Sequence, residues 1–311
     1  MSQAQFPYEQ SHTGGFQRQD DAFRQLTTNA EADRFHLYIS LACPWASRTL
    51  IVRNLKGLED VVGLTIVDPV RDERGWAFRD PNAQDDRSTD PANGFRFLSE
   101  AYKATDPAFA GRVTVPVLWD RKTRRIVNNS EDDICRMFND TFDTLSTRKL
   151  DLFPASIAEE QARLSGYVYD KINNGVYKAG FATKQLPYEQ ACRELFVALD
   201  HFEARLASTR YLFGDRIVET DWRLFCTLVR FDAVYYTHFK CNLRRVVDYP
   251  HRQGYLKDLY QQPGIAETVN FDHIKRHYYI THTELNPCQI VPLGPQLDLT
   301  SPPGRERLSA H

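Results

Sequence analysis

The chain has 311 residues, with 39 basic and 41 acidic side chains and a formal charge of −2 at pH 7. Near-balanced charge excludes a protein held electrostatically to nucleic acid or a membrane surface, and the length suffices for two domains with a substantial core. No apolar run approaches the roughly 20 residues of a membrane span, and the N-terminus lacks a basic-then-apolar signal pattern. The expectation is a soluble, cytoplasmic protein with no nucleic-acid or membrane partner. Its six cysteines (Cys43, Cys135, Cys192, Cys226, Cys241 and Cys288) are scattered. They lack the spacing of a zinc or disulfide framework, which suits a reducing compartment.

Residues 1–34 are polar and rich in Gln, Asp and Gly, and read as an extension packed over another part of the molecule. A strand is predicted at 35–40, a helix at about 45–56 and a strand at 61–67 bounded by Asp68-Pro69. An irregular Asp-, Pro- and Asn-rich stretch covers about 70–95, a length associated with functional or mobile loops. A helix at 98–103, a hairpin of 115–119 and 125–127 around the turn 120–124, and a helix from Ser130 to Phe138 follow. This β-α-β-α-β-β-α order predicts an α/β thioredoxin-like domain over 35–145. Helical spacing then takes over at 158–173, 188–207, 221–236, 253–261 and 264–271, giving an all-α domain over 150–285. Leu195, Leu199, Phe202 and Leu206 form one such stripe. The Pro- and Gly-containing segment 286–311 is a tail, either disordered or wrapped on the surface.

Cys43 is the most informative residue. It ends the loop after the first strand, and Pro44 opens the helix, a position where the missing N–H of proline costs nothing. Unpaired N–H groups and the helix dipole stabilise a thiolate there. No second cysteine lies three residues on, so this is a monothiol that cannot close its own disulfide. A buried structural cysteine is the alternative. Val115-Pro116 begins the hairpin; a proline at that point of a thioredoxin-like domain is typically cis, and Val115 can then pair with an extended, peptide-like ligand. Ser130-Glu131-Asp132-Asp133 starts a helix. Ser130 with Asp133 resembles a capping box, and the same N–H groups can hold a ligand carboxylate. Tyr167, Tyr169, Tyr177, Tyr235, Tyr236, Tyr278 and Tyr279 supply enough phenol groups for an aromatic pocket. His273 and His277 stand four apart, but Ile274 occupies the place of the Glu that zinc hydrolases carry. That run is expected to be a solvated helix face, with no metal. Asn128-Asn129 and Asn173-Asn174-Gly175 read as turns.

Taken together, several runs resemble the glutathionyl-hydroquinone reductases, the xi class of the glutathione transferases. They are Gly14-Gly15-Phe16-Gln17-Arg18, Cys43-Pro44-Trp45-Ala46, Arg74-Gly75-Trp76-Ala77-Phe78, Val113-Thr114-Val115-Pro116-Val117-Leu118-Trp119-Asp120, Asn174-Gly175-Val176-Tyr177-Lys178-Ala179-Gly180, Phe231-Asp232-Ala233-Val234-Tyr235 and the stretch from Val269 to Tyr279. The resemblance spans about residues 13–294 and implies a two-domain glutathione transferase fold and a homodimer. It implies that Cys43 is the nucleophile, that Trp76, Val115 and Pro116 receive the thiol tripeptide, and that Ser130 and Glu131 stand where the family's Glu-Ser pair binds the γ-glutamyl group, in exchanged order. Tyr177, with Tyr278 or Tyr279, would bond the hydroquinone hydroxyls, with Tyr235, Tyr279 and Trp45 lining the substrate pocket. The implied reaction leaves a Cys43 mixed disulfide that a second thiol resolves. The co-substrate is glutathione or another low-molecular-weight thiol, and the substrate an aromatic thiol conjugate. A general thioltransferase or dehydroascorbate reductase is the alternative within the same chemistry, and a non-catalytic binding module of this fold the alternative outside it.

Overall fold

The computed structural model describes residues 9–79 and 88–308. They form two compact units. Among the described residues, one comprises 20–79, 88–151 and 268–277; the other comprises 9–19, 152–267 and 278–308. Part of the irregular 70–95 stretch lies outside the described residues.

In the first unit, β1 (Phe35–Ile39), β2 (Val62–Ile66), β3 (Val117–Asp120) and β4 (Arg125–Asn128) form a sheet of order β2-β1-β3-β4. β1 and β2 are parallel, and the β1–β3 and β3–β4 pairs are antiparallel. All five β1 residues are buried, so this interior strand shows no alternation of buried and exposed positions. The helix α1 (Pro44–Leu55) crosses between β1 and β2, and α2 (Leu98–Thr105) precedes β3. α3 (Glu131–Asn139) follows β4 and packs on α1. The polar N-terminal extension is divided between the two units. Its later part follows the open edge of β4: Gln25 N–H donates to Val127 O at 3.1 Å and Phe23 N–H to Asn129 Oδ1 at 2.7 Å. Covering that edge removes a template for pairing with another chain.

A polar network is sealed beside β1 and β2. His36 Nδ1 accepts from Arg121 Nη2 at 2.7 Å, which leaves Nε2 to donate to Thr65 Oγ1, also at 2.7 Å. The Tyr38 hydroxyl donates to buried Asp90 at 3.0 Å. Gly63 gives the imidazole its room, since a Cβ there would lie 2.4 Å from His36 Nδ1. Burial, helped by the Arg121 guanidinium, pulls His36 down from 6.5 to about 4. The unfolded chain therefore binds more protons between those values, so stability is complete above pH 6.5 and falls on acidification toward 4. From pH 6.5 to 4.5 this one group should cost about 2–3 kcal/mol, read as a falling denaturant midpoint. His36→Gln should flatten that part of the profile; an unchanged slope would remove His36 as its cause.

The second unit is helical. α4 (Ala158–Tyr167), α5 (Gly175–Gly180), α6 (Gln185–Leu206), α7 (Glu219–Arg230) and α8 (Pro250–Tyr260) build it, and the Leu195–Leu206 stripe is buried as expected. Every α7 residue is buried, the signature of a helix surrounded by others. Two segments read as plain helix widen into π-helix, at Val168–Asn173 after α4 and at Phe231–Tyr235 after α7. The turn expected at Asn173-Asn174-Gly175 shrinks to Asn174, since Asn173 closes the π-helix and Gly175 opens α5. Asn173 is drawn inward by bonds from its Nδ2 to Arg223 O at 3.0 Å and Thr227 Oγ1 at 2.7 Å. Tertiary hydrogen bonds thus override the local turn preference of Asn173. The helix expected over 264–271 is a single turn, Ala266–Thr268. Gly264 has φ of +78°, and Asn270 Oδ1 accepts His273 N–H at 2.9 Å, starting the real helix α9 (Phe271–Thr281). α9 belongs to the first unit through His277 and to the second from Tyr278.

The C-terminal tail is wrapped on the helical unit. Buried Arg305 donates to Leu206 O at 2.9 Å, Arg210 O at 3.0 Å and His251 O at 3.0 Å, and Gln261 Nε2 donates to Leu299 O at 2.8 Å.

Candidate active site

Cys43 stands at the N-cap of α1, with Pro44 in the first turn. A tight turn brings it there: Cys43 N–H donates to Ser40 O at 3.1 Å, and Cys43 O accepts the first helical bond from Ser47 N–H at 2.9 Å. The residue is half-buried, as is Trp45, while Ala42, Pro44 and Ala46 are buried. Its thiol donates to the Val115 carbonyl at 3.6 Å, and the Val115–Pro116 peptide is cis. The nucleophile candidate and the backbone expected to receive an extended ligand are therefore neighbours.

Ser130 is the N-cap of α3, but its side chain makes no capping hydrogen bond. The capping box expected from Ser130 and Asp133 does not form. Asp133 is instead turned to Arg24, which donates at 2.7 and 2.8 Å, and to Asn128 Nδ2 at 3.1 Å. Asn128 in turn fixes the loop, its Oδ1 accepting Ser130 N–H at 2.7 Å. Glu131 is buried, and its carboxylate lies 3.3 Å from the buried Arg48 guanidinium on α1; Arg48 also pairs with Asp132. Arg48 is a residue the sequence reading missed. Its only signal was a cation near the start of α1.

Trp76 is buried in a stack on His277, with centroids 5.0 Å apart and planes at 21°. His277 Nδ1 bonds Pro69 O at 2.8 Å. The basic run of α9 is thus not a solvated face at His277, which is buried; aromatic stacking outweighs the exposure of its Lys and Arg neighbours. Among the described residues, no group of three or more His, Cys, Asp or Glu is gathered to hold a metal ion.

The helical unit gathers three of the seven candidate tyrosines. Tyr278 OH lies 2.5 Å from Tyr177 OH and 2.9 Å from Tyr235 OH, so Tyr278 is the centre of a hydrogen-bonded triad. Relative exposure falls from 8% at Tyr177 to 1% at Tyr278 and 0% at Tyr235, which makes Tyr177 the least buried of the three. Burial raises Tyr235 and Tyr278 well above the ordinary phenol value, so both are neutral donors and not phenolates. Rings of Phe181 and Phe239 close around Tyr177, with centroids at 6.0 and 5.2 Å. Gly180 permits this, since a Cβ there would lie 2.2 Å from the Phe239 ring. Tyr279 is turned away, to Thr237 Oγ1 and Ala233 O. Tyr235 is the innermost member of the triad, and Tyr279 lies outside it. Tyr167 is half-buried and packs on His201 and Phe202.

Arg18, from the N-terminal extension, places its guanidinium 4.8 Å from the Tyr177 ring centre. The sequence reading included it within a motif without a role. Arg230 is buried on the same unit, and its charge bears on Tyr235 and Tyr278. Among the described residues, no helix is long and apolar enough to cross a membrane.

Residues 42–141 match the glutathione S-transferase N-terminal domain model and residues 186–258 the C-terminal domain model. The chain is 48% identical to the glutathionyl-hydroquinone reductase YqjG of Escherichia coli K12, over 96% of this chain and 95% of that protein. It is 44% identical to the glutathionyl-hydroquinone reductase PcpF of Sphingobium chlorophenolicum, over 93% and 92%. The glutathione-bound structure of YqjG superposes with a TM-score of 0.86 at 50% identity, covering 89% of this chain and 90% of that one. The xi glutathione transferase of Phanerochaete chrysosporium does so with a TM-score of 0.89 at 45% identity, covering 94% and 96%. The chain belongs to the glutathione S-transferase family, in the xi-class branch that includes the glutathionyl-hydroquinone reductases.

Proposed function

We propose that this protein reduces glutathionyl-hydroquinones to hydroquinones through a mixed disulfide on Cys43. The observation that carries the reading is a half-exposed monothiol at a helix N-terminus beside Val115 O, in a chain 48% identical to a reductase of that name. The Cys43 thiolate attacks the thioether sulfur. In the keto tautomer of the conjugate a Cys43–sulfur bond forms as the sulfur–ring carbon bond breaks, the electron pair passes through the ring to the carbonyl oxygen, and that oxygen takes up a proton. The sulfur is oxidised to the disulfide level and the ring reduced to the free hydroquinone. A second glutathione thiolate then attacks the mixed disulfide, releasing glutathione disulfide and restoring Cys43.

In this reading Val115 and Pro116 receive the tripeptide backbone and Trp76 contacts it. The α3 N-terminus with Ser130 and Glu131 holds the γ-glutamyl group, whose ammonium suits the Glu131 carboxylate and whose carboxylate suits the helix end. Trp45 borders the thiol. Tyr177 donates to a hydroquinone oxygen with Tyr278 behind it, stabilising charge that builds as the ring leaves. The protein acts as a cytoplasmic homodimer.

Intact-protein and peptide mass spectrometry after incubation with glutathionyl-menadione should find a glutathione adduct on Cys43 and an equal amount of released hydroquinone. Iodoacetamide at neutral pH should label Cys43 faster than Cys288, an exposed thiol in the tail. Hydroquinone released with no adduct on Cys43 would refute the mechanism. Adducts with mycothiol or γ-glutamylcysteine but none with glutathione would reassign the co-substrate.

A further inference from the structure

We propose that Arg18 is a positioning residue for the reductive step, acting through Tyr177 to sustain turnover of hydroquinones that are poor leaving groups. The proposal rests on the role given to Tyr177 above. Arg18 Cζ lies 4.8 Å from the Tyr177 ring centroid and 5.3 Å from that of Phe16. It is not a loosely draped side chain: Nε donates to Asn174 Oδ1 at 2.8 Å, and Asn174 is the N-cap of α5, the helix that carries Tyr177. The cation and the ring it covers are thus fixed to one helix start.

A guanidinium over a phenol face is attracted by the ring's quadrupole. The attraction strengthens when the phenol carries more negative charge, as it does while donating to an oxygen that is becoming anionic. Arg18 therefore interacts more strongly with the transition state than with the resting triad, the condition for raising a rate. From the buried side, Arg230 opposes the upward pull of burial on Tyr235 and Tyr278. The two guanidiniums bias the triad toward accepting negative charge from opposite ends. Arg18 touches no reacting atom in this arrangement. An anchoring role alone, tying the N-terminal segment to the helical unit, predicts equal effects on every substrate and independence from Tyr177.

The test uses the full chain with Arg18→Met, Arg18→Lys, Tyr177→Phe and the double variant Arg18→Met/Tyr177→Phe. Single-turnover hydroquinone release is measured for glutathionyl conjugates of chlorinated, unsubstituted and methylated hydroquinones. Arg18→Met should slow release about fivefold, most for the methylated, more basic leaving group. Arg18→Lys should recover most of the rate and the wild-type dependence on leaving group, since it keeps the cation. In the Tyr177→Phe background, Arg18→Met should add less than about twofold. Thermal melts accompany each variant, and if Arg18→Met does not fold, the leaving-group dependence of Arg18→Lys decides. Arg18→Met at the wild-type rate while Tyr177→Phe is slow overturns the Arg18 role alone. A loss that is uniform across the series, or undiminished without the Tyr177 hydroxyl, reduces Arg18 to an anchor. Tyr177→Phe at the wild-type rate overturns the reading of Tyr177 and the Arg18 proposal with it.

Discussion

Cys43→Ser should lower the rate of hydroquinone release by about a thousandfold or more. A serine hydroxyl is un-ionised at neutral pH and cannot form the mixed disulfide, so the loss is of the reaction and not of affinity. Binding of the thiol tripeptide to the Val115 and α3 sites should persist, seen as a calorimetric or fluorescence signal within a few-fold of wild type. The fold should persist as well. Cys43 is half-buried at a helix cap, and its thiol makes a 3.6 Å bond to Val115 O, of the weak kind that S–H donors form. Residual reductase activity of more than a few per cent would remove Cys43 as nucleophile. Surviving conjugation of glutathione to an electrophile would not, because a hydroxyl can assist glutathione as attacking thiol.

Tyr278→Phe should have the next largest effect. Its hydroxyl is the middle of the Tyr177–Tyr278–Tyr235 chain, so its removal unlinks both neighbours and leaves a fully buried Tyr235 hydroxyl without its partner in the triad. Losing one aligned donor to developing negative charge costs on the order of a hundredfold in turnover. The unpaired buried hydroxyl should cost about 1–3 kcal/mol of stability, measured by denaturant unfolding. Because burial holds Tyr278 far above the ordinary phenol range, it stays protonated at any working pH. The defect should therefore be the same at pH 6 and at pH 9. Tyr279→Phe, which gives up only bonds to Thr237 and Ala233, should fall by a few-fold at most. Equal losses at the two positions would contradict the assignment of Tyr278 to the triad.

These two residues mark how unevenly the site was legible. Cys43 was readable because its chemistry depends on local features: a strand, a short loop and a proline that opens a helix. The same locality made β1, α1, the β3–β4 hairpin and the α6 stripe predictable within a few residues. Tyr278 and Tyr279 were not separable by sequence. Adjacent helical residues point about 100° apart, and only packing decides which one faces Tyr177. Ser130 with Asp133 misled for the opposite reason: the pattern was local, but Arg24, brought from far along the chain, and neighbouring Asn128 claimed the Asp133 carboxylate. At Asn173-Asn174-Gly175 the expected turn shrank to Asn174, because bonds from Asn173 to α7 hold that residue in a helix.

The sequence by itself determined the family, the order of strands and helices, and the one thiol on which the chemistry turns, since each is written in contiguous runs whose meaning does not depend on distant partners. Tertiary structure alone decided which phenols share a hydrogen-bonded chain, which carboxylate meets Arg48, and that Arg18 covers the Tyr177 ring. Those choices arise from groups far apart in the sequence meeting in a low-dielectric interior, where an unpaired polar atom is costly and the arrangement that satisfies the most of them prevails.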